Sequence, residues 1–470
     1  MTDAITEAYN RECLAPDSRL LGVTGRMRLP EKLAAAHGAG SLPRPLFLAE
    51  REIREFTDDL RGFFGLLTTL PQRLFDGSTD AYAAAVGISP RRAALMKRLG
   101  VAPVLHGRAD LHHDGTSFKL LEFNVGTHLG GTDRAELMRL HLEDEAFRAF
   151  AEEHRLDYAH TGEQIVEVLR RLGEQVTGGA EPVVAFVEAD GGLAPYLHLV
   201  LSFQEMAARL GLRVLLAEIG QVTSKDDKLY LDGTPIDVVL RYFSVNQLCA
   251  DGRDGAEAEP FFRAHEAGKT LLYTPLDGLL FEQKTSLALL SDPRWRAAYS
   301  AEEAELIDRL LPWTRLLTAG ESTAGGERVD LLDHCREHRA DLLLKPGNQD
   351  GGRGIVAGWT VDDRAWREAL DAGRGRGWMV QRRVVPRAEP MVDPDTRELR
   401  DWHATWGMFV TPHGYGGFHI RALPAENGGI LWHGASGQVR KTGVFHYRED
   451  REDPAAPQAP QAPVAGGEAR

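Results

Sequence analysis

Two short segments carry residues whose types and spacing suit chemistry. One runs Leu-Leu-Glu-Phe-Asn-Val-Gly-Thr-His-Leu-Gly-Gly from Leu120 to Gly131. The other runs Leu-Leu-Leu-Lys-Pro-Gly-Asn-Gln-Asp-Gly-Gly-Arg-Gly-Ile from Leu342 to Ile355. Glu122 and Asn124 close the first apolar run two positions apart, so on a strand both side chains point to one face. A carboxylate and an amide oxygen on one face suit Mg²⁺, which takes hard oxygen ligands and shares them with substrate phosphates. The glycines that follow expose backbone N–H groups to anionic oxygen, and Thr127 offers a hydroxyl. Taken alone, the pair also fits an acidic strand end entering a turn. Lys345 closes the second apolar run and precedes Gly351, Gly352 and Gly354. A lysine beside a glycine-rich loop suits phosphate, although the order is not the Gly-x-x-x-x-Gly-Lys-Ser/Thr of a P-loop. A loop folding over phosphates from above fits this order, and a tight loop closing a hairpin is the plain alternative. Together the two segments point to a nucleotide-using enzyme.

The elements that must position these residues follow from periodicity. The first hundred or so residues read as mostly helical, with apolar residues at helical spacing over Ala49–Phe64 and a helix start at Ser89-Pro90. Arg108 to Asn124 reads as a hairpin around His113-Asp-Gly-Thr. Helix returns over 130–178. An alternating region follows: a strand at Pro182–Glu188, a helix at Tyr196–Leu210, a strand at Arg213–Glu218, a small hairpin at Lys228–Gly233 and a strand at Ile236–Phe243. Strand–helix–strand at this spacing predicts a parallel sheet. Further on, Asp341–Lys345 and Trp378–Gln381 are strands flanking a helix over Val361–Ala372, and Trp406–Val410 pairs with Gly417–Arg421. Gln381 ends its strand before Arg382-Arg-Val-Val-Pro, a strand-to-linker hinge that could bind adenine through backbone groups; ordinary strand exit is the alternative. Arg108, Arg241 and Arg421 lie at strand ends, where arginine can grip carboxylate or phosphate through two parallel hydrogen bonds. His112 and His113 lack metal-ligand spacing partners and are expected at the surface or in the turn.

At 470 residues the chain exceeds the size at which one core usually stops growing, so one catalytic unit of two or three interlocked lobes is expected. The formal charge of −14 argues against nonspecific nucleic-acid binding but leaves room for a local basic pocket. Cys13, Cys249 and Cys335 form no zinc or disulfide pattern and read as unpaired thiols of a reducing compartment. The first residues lack the basic and apolar regions of a secretory signal, and no apolar run reaches membrane-spanning length. A soluble, cytoplasmic protein is expected, with neither nucleic-acid nor membrane partners. From Glu449 the Ala-Pro-Gln repeats cannot bury enough apolar surface to fold, so 449–470 is expected to be disordered.

The ordered set of motifs resembles a known family. Glu122-x-Asn124 before a Gly-Gly turn, Lys345-Pro with Gly-Gly-x-Gly, and the strand-end Gln381 resemble the circularly permuted ATP-grasp ligases. Eukaryotic-type glutathione synthetase and glutathionylspermidine synthase are relatives. Gln283-Lys-Thr-Ser-Leu-Ala-Leu-Leu-Ser resembles the segment bearing the family's first ATP lysine, here Lys284. Asp237-Val-Val-Leu-Arg-Tyr, Arg421 with Asn427-Gly-Gly, and Arg108-Ala-Asp also resemble family segments, in family order from about 105 to 435. In most ATP-grasp enzymes the lysine loop precedes the metal carboxylates; here the carboxylate segment comes first, as in a permuted chain.

The resemblance implies an α/β fold: a circularly permuted ATP-grasp with a helical N-terminal region (1–104) and a metal-binding segment (105–180). An inserted βαβ substrate or lid subdomain (181–268), a nucleotide-binding segment (269–448) and the tail (449–470) complete it. It implies an ATP-dependent ligase that joins a small carboxylic acid to an amine, amino-acid or peptide-like, through an acyl phosphate, using Mg²⁺ and releasing ADP and phosphate. Carried over, Glu122 and Asn124 are metal ligands, and Lys284 and Lys345 hold phosphates. Gly351, Gly352 and Gly354 form the loop over the nucleotide, and Val380, Gln381 and Val384 lie at the adenine hinge. Arg108 and Arg421 grip the acid. Glutathione synthetases place a glutamate ligand just before the loop glycines; here Asp350 stands one residue further from the lysine, with Asn348 as the second choice. The His-Leu after Thr127 replaces the small residues of glutathione synthetases, so glutathione is not the expected product. A homodimer fits the relatives. An ATP-binding regulator without ligation and a small-molecule kinase are the alternative readings.

Overall fold

The computed structural model describes residues 3–38, 40–127, 129–347, 354–427 and 438–449. Helices fill most of the first hundred residues. The apolar spacing after Ala49 produces the helix Glu50–Thr68, which buries Ile53, Phe56, Leu60, Phe63 and Leu67 along one face. Pro90 opens the helix Pro90–Met96, where its missing N–H leaves no intrahelical bond unmade. One strand interrupts these helices. β1 (Leu46–Ala49) pairs in parallel with β21 (Val444–Tyr447), from the other end of the described chain.

The expected hairpin consists of β2 (Gly107–His113) and β3 (Phe118–Val125). Its turn is held by Asp114, whose carboxylate accepts from the backbone of Thr116 and Ser117 at 2.8 and 2.9 Å. The hairpin joins an antiparallel sheet ordered β20–β19–β18–β2–β3. Here β18 is Leu399–Thr411, β19 is Gly414–Pro424 and β20 is Arg440–Thr442, while β17 (Ala388–Val392) pairs beside β18. Strand alternation divides this sheet chemically. Ala109, Leu111, Phe123, Trp406, Met408 and Ile420 enter the main core from one face. The register pairs Arg108 with Asn124, Asp110 with Glu122, Thr405 with Arg421, and Arg421 with Lys441, so these residues share the opposite face.

The alternating region gives the expected parallel sheet, ordered β10–β9–β4–β5. Its strands are β4 (Val184–Glu188), β5 (Val214–Glu218), β9 (Val238–Arg241) and β10 (Leu271–Tyr273). The helix Leu193–Arg209 links β4 to β5; β9 then returns to the other side of β4. The single strand expected over Ile236–Phe243 is divided. β8 (Thr234–Ile236) completes a small antiparallel sheet with β6 (Thr223–Lys225) and β7 (Lys228–Leu231). Asp237 marks the break, because its carboxylate accepts from Val183 N at 2.9 Å and Lys228 Nζ at 2.7 Å.

A third sheet is ordered β11–β16–β14–β15, from β11 (Thr314–Leu316), β14 (Leu342–Pro346), β15 (Val356–Ala357) and β16 (Trp378–Arg382). A hairpin, β12 (Glu321–Ala324) and β13 (Glu327–Asp330), lies between β11 and β14 in sequence. Leu342, Leu344 and Val380 pack into a separate core with Trp366 and Leu370 of the helix Asp363–Gly373. The chain is therefore mixed α/β. All three cysteines are free, and among the described residues no helix is long and apolar enough to cross a membrane. The segment expected to be disordered lies, apart from Glu449, outside the described residues.

Trp366 is fully buried and its indole N–H donates to Cys335 O at 2.8 Å. Trp366→Ala should therefore cost about 3–5 kcal/mol, measured as a lower unfolding temperature and a lower denaturant midpoint. An unchanged midpoint would show that the third sheet does not depend on this core.

Candidate functional site

The two chemical segments meet. Lys345 extends from β14 on the face opposite Leu344 and is only 5% exposed. Its ammonium donates to Leu121 O at 3.1 Å and to Gln381 Oε1 at 2.8 Å. Lys284, the first residue of the helix Lys284–Ser291, places its Nζ 3.3 Å from Glu122 Oε2. The third sheet and a helix thus reach adjacent residues of β3, Leu121 and Glu122. Burial pushes the Lys345 ammonium down to about 8; Glu122 opposes that shift and Lys284 adds to it. Lys345 and Lys284 face Glu122 and, at longer range, Asp110, and lysines placed this way beside a glycine-rich loop suit phosphate. Gly347 is required where the chain leaves β14, because a Cβ there would lie 2.4 Å from Gly377 O.

Gln381 is completely buried, and its amide also donates to Thr314 Oγ1 at 3.1 Å. Its side chain is thereby committed to holding Lys345, so only its backbone remains for a nucleotide. Val380 points the other way, into the core behind the sheet. Val384 lies just beyond β16, and its carbonyl accepts from His112 Nδ1 at 3.0 Å. His112 Nε2 lies 3.1 Å from Thr405 Oγ1. Burial lowers this imidazole to about 4, so it is neutral at physiological pH. The expectation that His112 and His113 sit at the surface is corrected: both are buried. His112 fixes the hinge segment to the main sheet. His113 packs against Phe118, with Glu52 of the helix Glu50–Thr68 at 3.5 Å.

Arg108 and Arg421 are brought together by a residue that spacing alone had not singled out. Asp110 accepts from Arg108 Nε at 2.8 Å on one oxygen and from Arg421 Nη2 at 2.9 Å on the other. Burial disfavours its charge, but the two guanidinium groups outweigh burial and hold the carboxyl at about 2. The strand period carried a signal for Asp110, since it shares a face with Arg108. Arg421 Nε and both ring nitrogens of His419 are buried without a hydrogen-bond partner among the described residues. Burial, Arg134 and Arg421 lower Lys441 to about 8. His419 carried the same signal, two residues before Arg421 on β19, whereas Lys441 had none, because β20 brings it in from a distance. Gly131, with φ +97°, is needed there: a Cβ would lie 2.3 Å from His419 Nδ1. Arg108, Arg134, Arg421 and Lys441 outnumber Asp110 and Asp133, so this end also favours an anion.

Two further candidates have structural roles. Arg241 is fully buried and donates to Thr274 O at 2.6 Å and Phe243 O at 2.5 Å, holding its own loop. Thr127 donates to Arg241 O at 2.5 Å, so its hydroxyl faces the parallel sheet. Asn348, Asp350, Gly351 and Gly352 lie outside the described residues; Gly354 adopts φ +72°. Among the described residues no cluster of three His, Cys, Asp or Glu side chains could cage a metal. Glu122 and Asn124 nonetheless fit Mg²⁺, which commonly takes one or two protein oxygens and completes its shell with water and phosphate.

Beside this face a cavity of about 560 Å³ opens at the carboxyl ends of β4 and β9. The strand order reverses between those strands, the place where open α/β sheets bind ligands. Its rim includes Gly130, whose carbonyl accepts from Arg108 Nη1 at 3.0 Å.

No protein-family model and no curated protein matches the chain. Solved structures do. A putative gamma-glutamylcysteine synthetase from Methylobacillus flagellatus KT aligns with 13% identity and a TM-score of 0.40, over 80% of this chain and 87% of that one. A glutathione synthetase-like effector (GSS30) from Globodera pallida, in its apo form, aligns with 12% identity and a TM-score of 0.54, over 93% of this chain and 99% of that one. At this identity the likeness to the effector shows shared architecture alone: the chain has the same α/β fold as that protein along nearly its whole length.

Proposed function

We propose that the protein is an ATP-dependent carboxylate–amine ligase of circularly permuted ATP-grasp architecture. The observation that carries this reading is the meeting of Lys345 and Lys284 at adjacent residues of β3, Lys345 bonded to Leu121 O and Lys284 paired with Glu122, beside the Arg108–Asp110–Arg421 cluster. The fold likeness to a glutathione synthetase-like protein supports it. The hairpin and the 269–448 segment form the nucleotide site, and the parallel sheet of 181–268 forms the substrate side.

When bound, Mg²⁺-ATP supplies the phosphoryl group that activates the acid as an acyl phosphate, which an amine displaces with release of ADP and phosphate. The chain's own residues provide the electrostatics. Glu122 and Asn124 offer the metal oxygens, with Asp350 as third ligand. Lys284 and Lys345 neutralise charge on the phosphates, as preorganised cations do in phosphoryl transfer. Gly351, Gly352 and Gly354 allow the loop to cover the nucleotide. Val380, Gln381 and Val384 supply hinge backbone for adenine. Arg108 and Arg421 hold the acid: Asp110 fixes both guanidinium groups, and Arg421 keeps its Nε free of any partner among the described residues.

Incubation with Mg²⁺-ATP, mixed amino acids and small amines should yield ADP together with a new amide mass. A phosphorylated product without an amide would indicate a kinase instead, and nucleotide binding without ADP release would indicate a regulator. Glu122→Gln should lower Mg²⁺-dependent turnover by about 10²-fold or more with the melting temperature preserved; a near-normal rate would remove Glu122 from the metal site. Lys345 titrates at about 8 and must be protonated to hold phosphate. Affinity for ADP, measured by calorimetry, should thus fall by about tenfold per pH unit above about pH 8, and Lys345→Met should remove that slope. A wild-type affinity flat up to about pH 10 would show that Lys345 does not hold the phosphates.

A further inference from the structure

The cavity at the carboxyl ends of β4 and β9 differs in character from the sheet face beside it. At about 560 Å³ it has the size of a small-molecule site. Its walls are aromatic and aliphatic, with Phe186 and Tyr242 in ring contact at 4.3 Å and Phe203 opposite. Among the described residues that line it there is no lysine or arginine; the charged side chains are Asp133, Glu188 and Glu282. The neighbouring face holds Arg108, Arg421 and Lys441. Behind the wall Arg241 faces Glu188 and Glu282, and Arg134 lies 3.8 Å from Asp133, so the three carboxylates outnumber the two cations that reach them and the pocket stays acidic, whereas cations prevail on the sheet face.

The carboxylates are fixed in place. Glu188 Oε1 accepts from Gln247 Nε2 at 2.8 Å and from Ala189 N at 2.7 Å. Asp133 Oδ2 accepts from Ser202 Oγ at 2.6 Å. At the mouth, the first turns of the helix Leu193–Arg209 leave apolar surface in water: Tyr196 is 53% exposed and Leu197 40%. Tyr196, Leu199 and Phe203 of the same helix line the cavity. An apolar body entering between helix and sheet would cover part of this surface. A cation would gain from the carboxylates and the aromatic faces; an anionic head group would be repelled. Gly130 at the rim is bonded to Arg108, so the cavity opens beside the proposed acid site.

We infer that this cavity takes the amine substrate, as a primary ammonium carrying an aromatic or aliphatic body. The assignment to a substrate rests on the ligase reading, whereas the binding preference does not. A matched pair tests it: 4-phenylbutylamine and 4-phenylbutyrate, titrated calorimetrically into the full chain without nucleotide. The amine should bind about tenfold or more tightly than the acid. Glu188→Gln should erase most of that preference. Leu199→Trp, at a half-buried position on the cavity wall, should block the amine while the protein stays folded by melting temperature. Equal or tighter binding of the acid, binding of neither compound, or wild-type affinity in Leu199→Trp would overturn the inference. ADP release is measured separately with Mg²⁺-ATP and mixed acids. Amine preference without ADP or amide would keep the pocket assignment and remove the ligase reading. ADP and amide formation without amine preference would do the reverse.

Discussion

The site depends on one buried cation. An ammonium removed from water costs on the order of several kcal/mol unless partners replace its hydration. Lys345 finds those partners on two other strands: the Leu121 carbonyl of β3 and the Gln381 amide oxygen of β16, with the charge of Glu122 nearby. None of these groups can move far without stranding the ammonium. The contact therefore sets the distance between the third sheet and the hairpin, and so the width of the cleft between them. Thr314 extends the constraint to β11 by accepting from Gln381.

The main sheet shows how strand alternation builds a reactive surface on a stable support. Every second residue of β2, β3, β18 and β19 enters the core, which leaves the intervening positions free to be polar. Arg108, Asp110, Glu122 and Asn124 use that freedom, and Arg421 joins them from two strands away. Asp110 lies between Arg108 and Arg421 and offsets their repulsion, while Lys441 is left beside Arg421 and Arg134. The adjoining cavity carries the opposite sign. One turn, Gly130 to Asp133, separates the two environments, and Gly131 lets it pass against His419.

Local patterns made much of this legible. The period of two placed Glu122 and Asn124 on one face, the apolar run placed Lys345 at a strand end, and the helical spacing after Ala49 located the helix that covers the hairpin. Pairings between distant strands were not legible. His112 and His113 looked like turn residues because nothing nearby in sequence covers them; the cover comes from Glu50–Thr68 and the segment after β16. Gln381 read as the strand end of a hinge, and nothing in sequence showed the burial of its side chain, which follows from β11 and β14 flanking it on both sides. Asp237 interrupts an otherwise continuous apolar strand because Lys228 of the preceding hairpin and the distant Val183 claim its oxygens.

The pairing of β1 with β21 bears on how the chain is made. Leu46–Ala49 leaves the ribosome long before its parallel partner Val444–Tyr447. Phe47 and Phe445 share a core with Tyr9, Phe147 and Phe150, so that cluster stays incomplete until Phe445 has been made. For that interval the nascent protein carries an open strand edge beside unburied aromatic rings, the combination that invites pairing with other chains.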